Sequence, residues 1–506
     1  MAYHLANRIP AHLLMWQRVR EYAVPPSMIE TATARRAAGD WAGACAAARI
    51  DVDLDLRAVR DRHGTELVTR IRSDLRRLAP DLLRWHMPRI APDGRLRPGL
   101  TVSLARYRDY GATTAHLVVR TPPAWADAGQ RMSLALWDGS GDRAPARHPH
   151  PHPDRRFRLD LHRHLWDAGR SGELARRCGA GGPPSMAPPD RPTRHDSPWA
   201  VACWAAEAEL LLRAEGRRPR GAFTVRLGAR NRAVLELVGP DDSHVPAYRQ
   251  LREALPPQEV AALPVLPEAA ARVLPDLELL RTGLVTAERL HPLVAAALTG
   301  FGPVAVSGSV TAAGPVAAPG SAPMAAGPAH GPGDPHRVEC RGEVHRIALR
   351  DGVLTAIDHD PAELRREDLL VALGGPALPC LRAIDAVHRD PAELPAVRER
   401  LGHGDVAGAL AVVEGLLGPG AVLRDGPLRE ELESAAARRI DHGLFRSGLV
   451  AVHPGAGTRT GAAGGGDASG VRPAETGHRP RLDRRTPPSI RRKRSSRARP
   501  RTSLTS

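Results

Sequence analysis

The best polar cluster in this 506-residue sequence is centred on a two-residue turn. Asp351-Gly352 is a dipeptide preferred in type I′ hairpins, so residues 344–350 and 353–357 read as the paired strands of one. With Arg350 opposite Val353, counting outward sets His345 opposite Asp358, and Glu343 opposite Asp360 on the same face. A histidine beside three carboxylates favours the imidazolium, or could hold a divalent metal. Against this, Asp360 also has the role of capping the next helix, and the open end of a hairpin is usually wet.

A second group of candidate metal ligands lies upstream. His148, His150 and His152 alternate with prolines in HPHPHPD, and His162 and His164 follow. Imidazole suits zinc and nickel. Consecutive X-Pro units, however, favour an extended conformation that points successive side chains around three sides of the chain. Structural zinc also wants ligands held by a folded scaffold, so this stretch reads as a solvated linker. Asp51, Asp53 and Asp55 fall on one face of a strand. An EF-hand would need Gly and Glu where Leu56 and Arg62 stand, so the expectation is an acidic edge leading to an Asp55 helix cap.

Other chemistry is missing from the sequence. It contains no G-x-S-x-G, no P-loop, no H-E-x-x-H and no zinc-deaminase signature. Lys493 is the single lysine among 72 basic residues, which removes Schiff-base chemistry and lysine-dependent phosphate cradles. Cys45, Cys178, Cys203, Cys340 and Cys380 stand apart with no C-x-x-C pair. With no signal-like N-terminus, they point to a reducing cytoplasm and no disulfide framework. No cofactor is expected.

Arginine in place of lysine, with Asn only at 7 and 231, indicates a GC-rich bacterial genome, so part of the +16 formal charge is compositional. The charge falls into three regimes: +10 over 1–336, −4 over 337–450 and +10 over 451–506. Only the tail concentrates it. There Arg491, Arg492, Lys493, Arg494, Arg497, Arg499 and Arg501 could contact phosphates in a sequence-blind, salt-dependent way, though no aromatic residue offers a stacking platform. A tail read from a shifted GC-rich frame would look the same. Residues 292–333 carry no charge, but Gly and Pro interrupt them throughout, so they read as a linker and no membrane partner is expected.

The elements that must position these residues indicate an α+β fold. All eight tryptophans lie at or before position 204, placing the larger core in the N-terminal half. The expected order is an N-terminal helix (1–24); an α+β domain (25–300), helical over 25–90, strand-rich over 98–240 and helical over 250–300; a disordered Ala/Pro/Gly linker (301–336); a hairpin-plus-helices module (337–450); and a disordered basic tail (451–506). Loop insertions fall near 140–156 and 179–198. Stretches 100–107, 115–121 and 131–137 alternate as half-buried strands do, and 223–228 with 233–238 read as another hairpin. Breaks are expected at Gly64-Thr65 and Pro80-Asp81.

Two sequence echoes accompany this organisation. Asp-Pro-Ala-Glu-Leu recurs at 360–364 and 390–394, in each case reading as Asp cap, Pro at the first helical position and Glu completing a capping box. Gly39-Asp40-Trp41-Ala42-Gly43-Ala44 is echoed by Gly404-Asp405-Val406-Ala407-Gly408-Ala409. Both resemble the turn and second helix of a tetratricopeptide unit. They do not recur at the ~34-residue period of an array, so each implies a single helical hairpin. The functional expectation is a non-enzymatic, cytoplasmic protein-interaction or scaffold protein. The alternatives are a nucleic-acid-associated protein using the tail, and a metal-dependent enzyme using a His/carboxylate cluster.

Overall fold

The computed structural model describes residues 9–108, 114–139, 148, 152–180, 198–218, 220–228, 231–238, 247–251, 255–299, 336–340, 342–389 and 391–448. The fold is α+β, and the chain divides into two compact units, Met1–Ser307 and Gly308–Ser506.

Helices α1 (Ala11–Tyr22), α2 (Pro26–Ala37) and α3 (Trp41–Ala47) open the N-terminal unit. Edge strand β1 (Ile50–Asp53) follows, and the Asp55 carboxylate accepts from the amides of Arg57 and Ala58 to start α4 (Leu56–Arg77). The acidic residues thus serve as an edge and a cap. Gly64, at φ +86°, interrupts α4 where the break is expected, and Pro80 begins α5 (Pro80–His86).

A small hairpin, β2 (Arg89–Ile90) with β3 (Arg95–Leu96), leads into β4 (Thr101–Tyr107), β5 (Ala115–Arg120) and β6 (Met132–Trp137). The main sheet runs β1-β6-β5-β4, with β1 parallel to β6 and the other pairs antiparallel. Strands β4 and β5 are buried on both faces, unlike the half-buried strands their alternation predicts. Val102, Leu104, Leu117 and Val119 enter the main core. The polar residues of the other face satisfy one another: Ser103 Oγ lies 2.9 Å from His116 Nδ1, and Trp137 packs edge-on against His116. Polar alternation here marks a hydrogen-bonded face, not a solvated one.

After α6 (Leu174–Arg177), α7 (Trp204–Ala214) packs with an antiparallel sheet, β7 (Gly221–Arg226), β8 (Arg232–Val238) and β9 (Ala247–Gln250), around a second core that includes Trp204, Leu212, Phe223 and Leu237. Short helices α8 (Pro257–Ala262) and α9 (Glu268–Ala271) precede α10 (Pro275–Arg281) and α11 (Pro292–Thr299), which return to the main core through Leu277, Leu279 and Val294. Asp276 on α10 meets Arg20 on α1 inside that core. Arg20 Nε and Nη2 each donate to the Asp276 carboxylate at 2.8 Å, Trp85 Nε1 donates to it at 3.1 Å, and Arg20 Nη1 donates to the Trp85 carbonyl at 2.7 Å.

In the C-terminal unit, β10 (His336–Cys340), β11 (Glu343–Arg350) and β12 (Val353–Ala356) form an antiparallel sheet with β11 central. Arg350 pairs with Val353, and Asp351 and Gly352 both have positive φ (55° and 76°), as a type I′ turn requires. Then come α12 (Pro361–Ala372), α13 (Pro379–Arg389), α14 (Leu394–Gly402), α15 (Val406–Leu417) and α16 (Pro427–Ser447). Ile347, Ile384, Val397, Ala409 and Leu428 are among the residues of the core. Among the described residues, no helix is long and apolar enough to cross a membrane.

The two Gly-Asp echoes are one structural device used twice. Gly39 (φ +76°) and Gly404 (φ +83°) each reverse the chain after a helix, and Asp40 and Asp405 cap the next helix at the amides of Gly43 and Gly408. Arg35 and Arg400, each five residues before the Asp, pair with its carboxylate at 3.2 and 2.9 Å. A Cβ at Gly43 or Gly408 would collide with the capping carboxylate. The Asp-Pro-Ala-Glu-Leu repeat does not hold in the same way. Its first copy starts α12, with Asp360 accepting from the Ala362 amide, but α14 starts only at Leu394. Pro395 has no N–H to donate to the Pro391 carbonyl, so a helix begun at Pro391 would lack one bond of its first turn. Asp390 lies outside the described residues.

Arg20→Ala strands the Asp276 carboxylate at the centre of the core. The expected loss is about 3–5 kcal/mol, read by urea unfolding of the full chain followed by tryptophan fluorescence. A loss below about 1 kcal/mol would show that the pair is not a structural tie.

Candidate metal centre

Among the described residues, one group of three histidine, cysteine or acidic side chains brings its ligand atoms together. One atom each from Cys340, His359 and Cys380 lies within 4.8 Å of the others. Each comes from a different element. Cys340 ends β10, in register with Glu343 of β11. His359 sits in the turn between β12 and α12, immediately before the Asp360 cap, and its amide donates to the Ala356 carbonyl at 3.4 Å. Cys380 is the second residue of α13.

Their surroundings are apolar. Both cysteines are fully buried and His359 is 8% exposed, amid Ala356, Leu378 and Leu381, with Leu364 of α12 packed alongside. Burial, together with the neighbouring Cys340 thiol, pushes the Cys380 thiol up to about 11. His359 Nε2 is buried without a hydrogen-bond partner. The His359 ring stacks on His345, with centroids 3.9 Å apart and planes 23° apart. Two sulfurs and one imidazole form the donor set of a zinc-type site, and thiolate donors disfavour hard cations such as magnesium and calcium.

The His345/carboxylate cluster predicted on the hairpin does not converge. His345 Nε2 lies 4.0 Å from Glu343 Oε2, but Glu343 projects into solvent. The Asp358 carboxylate turns away to Arg346, accepting from its backbone amide at 3.0 Å and from its guanidinium. Those hydrogen bonds hold Asp358 below the usual carboxylate range. Asp360 is committed to the Ala362 amide. An arginine one position along the strand outcompetes the histidine, and His345 turns instead to His359.

The upstream histidines also depart from their expectation, because His148, His162 and His164 are buried, not part of a solvated linker. His148 Nε2 lies 2.8 Å from the Thr121 carbonyl oxygen. His162 Nδ1 lies 3.0 Å from the Arg158 carbonyl oxygen, and its Nε2 3.2 Å from Glu207. Arg177 donates to both Glu207 oxygens at 2.5 and 2.6 Å. Burial alone would raise Glu207, but the hydrogen bonds from His162 and Arg177 outweigh it and pull the carboxyl down to about 2. Burial holds His164 well below its ordinary value. His152 is exposed and meets Trp137 edge-on. His150 and the basic tail residues Arg491, Arg492, Lys493, Arg494, Arg497, Arg499 and Arg501 lie outside the described residues.

Sequence reasoning missed the centre itself. Its ligands stand at 340, 359 and 380, far from the close spacings by which metal motifs are recognised, and Cys340 lies on a strand that no turn signal announces. Compared with protein-family models, curated proteins and solved structures, the chain matches none.

The buried histidines make acid sensitivity a property of the N-terminal unit. Burial pulls His116 down from 6.5 to about 4. Its contribution is complete above pH 6.5 and is lost as the pH falls toward 4, because only the unfolded chain takes up the proton in that window. The loss is about 1.4 kcal/mol per pH unit for this one group. Urea midpoints between pH 7 and 4.5 are expected to fall accordingly, and His116→Gln to flatten the slope. A midpoint independent of pH over that range would contradict the burial of neutral His116.

Proposed function

We propose that this protein works through contacts with other proteins, not through turnover, and that α12 presents the contact surface. The observation that carries this reading is where α12 places its apolar residues. No residue of α12 is fully buried, while Leu369, Leu370, Val371 and Leu373 at its C-terminal end are 65, 46, 37 and 86% exposed. A helix this short is marginal in water without tertiary packing, and α12 touches its unit's apolar core mainly through Leu364. Contiguous exposed apolar side chains, unlike scattered ones, mark interaction surfaces. The chemistry fits an apolar groove on a partner protein. Leu369 and Leu373 share one face at i,i+4, while Arg365, Arg366, Glu367 and Asp368 supply rim charges of both signs that would set register.

Hydrogen exchange of the purified full chain, with its mass measured by light scattering, tests this reading. In a single-chain species the α12 amides should exchange faster than those of α14 and α15, and Leu373→Glu should change stability by less than about 0.5 kcal/mol. Strong protection of α12 in a single chain would mean that the protein covers the surface itself. A doubled mass that Leu373→Glu halves would mean that a second copy does. Either result overturns the partner reading.

A further inference from the structure

We infer that Cys340, His359 and Cys380 bind one thiophilic divalent cation of the zinc type. This inference rests on the C-terminal sheet and α13 and is independent of the reading of α12. Buried cysteines are common as plain core residues, but three observations separate this group from that case. The donors converge from three elements, with all ligand atoms within 4.8 Å. Around a tetrahedral zinc, with Zn–S of about 2.3 Å and Zn–N of about 2.0 Å, neighbouring ligand atoms stand roughly 3.5–3.8 Å apart. A contraction of at most roughly 1.0–1.3 Å therefore closes the site. His359, moreover, is short of a partner: its Nε2 is buried without a hydrogen bond, an arrangement that costs about 1–3 kcal/mol if nothing fills it.

The binding step balances without any redox partner. The two thiols release two protons and the cation takes two thiolates and one neutral imidazole, so the first shell is charge-neutral, as a buried site favours. Affinity falls on acidification, because each thiolate must be formed against its proton. His345, stacked on His359, fixes the plane of the liganding ring. The fourth position falls to water or an exogenous donor, since no fourth residue among the described ones joins the group. A cation held here would pin the end of β10, the root of α12 and the start of α13 to one point, beside a small apolar cluster.

Cobalt(II) alone is the probe for the full-length chain, purified in reductant and stripped with chelator. About one equivalent should bind, giving the sulfur-to-cobalt charge-transfer absorption and intense visible bands of a tetrahedral thiolate site, and zinc should displace it. Cys380→Ala is expected to reduce the charge-transfer band by about half or more, and His359→Gln to shift the visible bands. Cys178→Ser, in the other unit, should leave both unchanged. If Cys380→Ala does not fold, thiol counting on the unmodified reduced chain replaces it: zinc should protect Cys340 and Cys380 among the five free cysteines. Absence of thiolate–cobalt absorption in a chain whose thiols are all free overturns the inference. So does absorption that both ligand substitutions leave intact, or a Cys340–Cys380 disulfide that persists in reductant.

Discussion

A polar atom taken out of water needs a partner, and the two units meet that constraint differently. In the N-terminal unit pairing meets it at several buried charges. Arg20 and Asp276 close the main core with Trp85, and His291 Nε2 lies 3.0 Å from Asp81 within the same interior. Tyr107 donates to Asp74 at 2.8 Å, and Arg163 shares that carboxylate. These pairs join segments far apart in sequence, so α1, the main sheet and α10 and α11 form one body around Trp85 and Trp166.

The C-terminal unit has fewer large side chains with which to do the same. Its sequence contains no tryptophan or tyrosine, and the described core is built from Leu, Ile, Val and Ala on a three-stranded sheet and four helices. Where the sheet meets α12 and α13 the apolar cluster shrinks to a few residues, and there the chain places two thiols and an imidazole nitrogen. A cation at that point would satisfy the polar atoms and supply the cross-link that a larger core would otherwise provide. It would also fix the root of α12, the helix whose leucines face outward.

What was legible in the sequence was local. The Asp351-Gly352 turn, the Asp55 and Asp360 caps, and the breaks at Gly64 and Pro80 follow from the backbone preferences of a few adjacent residues, and each stands where expected. Expectations failed where a distant partner decides. Ser103 and His116 look like solvent-facing strand residues until they meet each other, and the histidines of 148–164 look like linker until Glu207 and Thr121 arrive from elsewhere. The second Asp-Pro-Ala-Glu-Leu failed for a local reason that was visible in the sequence: Pro395 cannot donate. The candidate centre was illegible because its ligands come from a strand end, a turn and a helix start. Only the tertiary fold brings these together.

The central claim is that Cys340, His359 and Cys380 act as one ligand set. Zinc-edge X-ray absorption on the purified full chain addresses it most directly, because the spectrum reports the atoms around the ion. The account predicts a first shell with about two sulfurs near 2.3 Å and nitrogen or oxygen near 2.0–2.1 Å. A shell of oxygen and nitrogen alone, or a chain that retains no zinc while its cysteines are free, would contradict it.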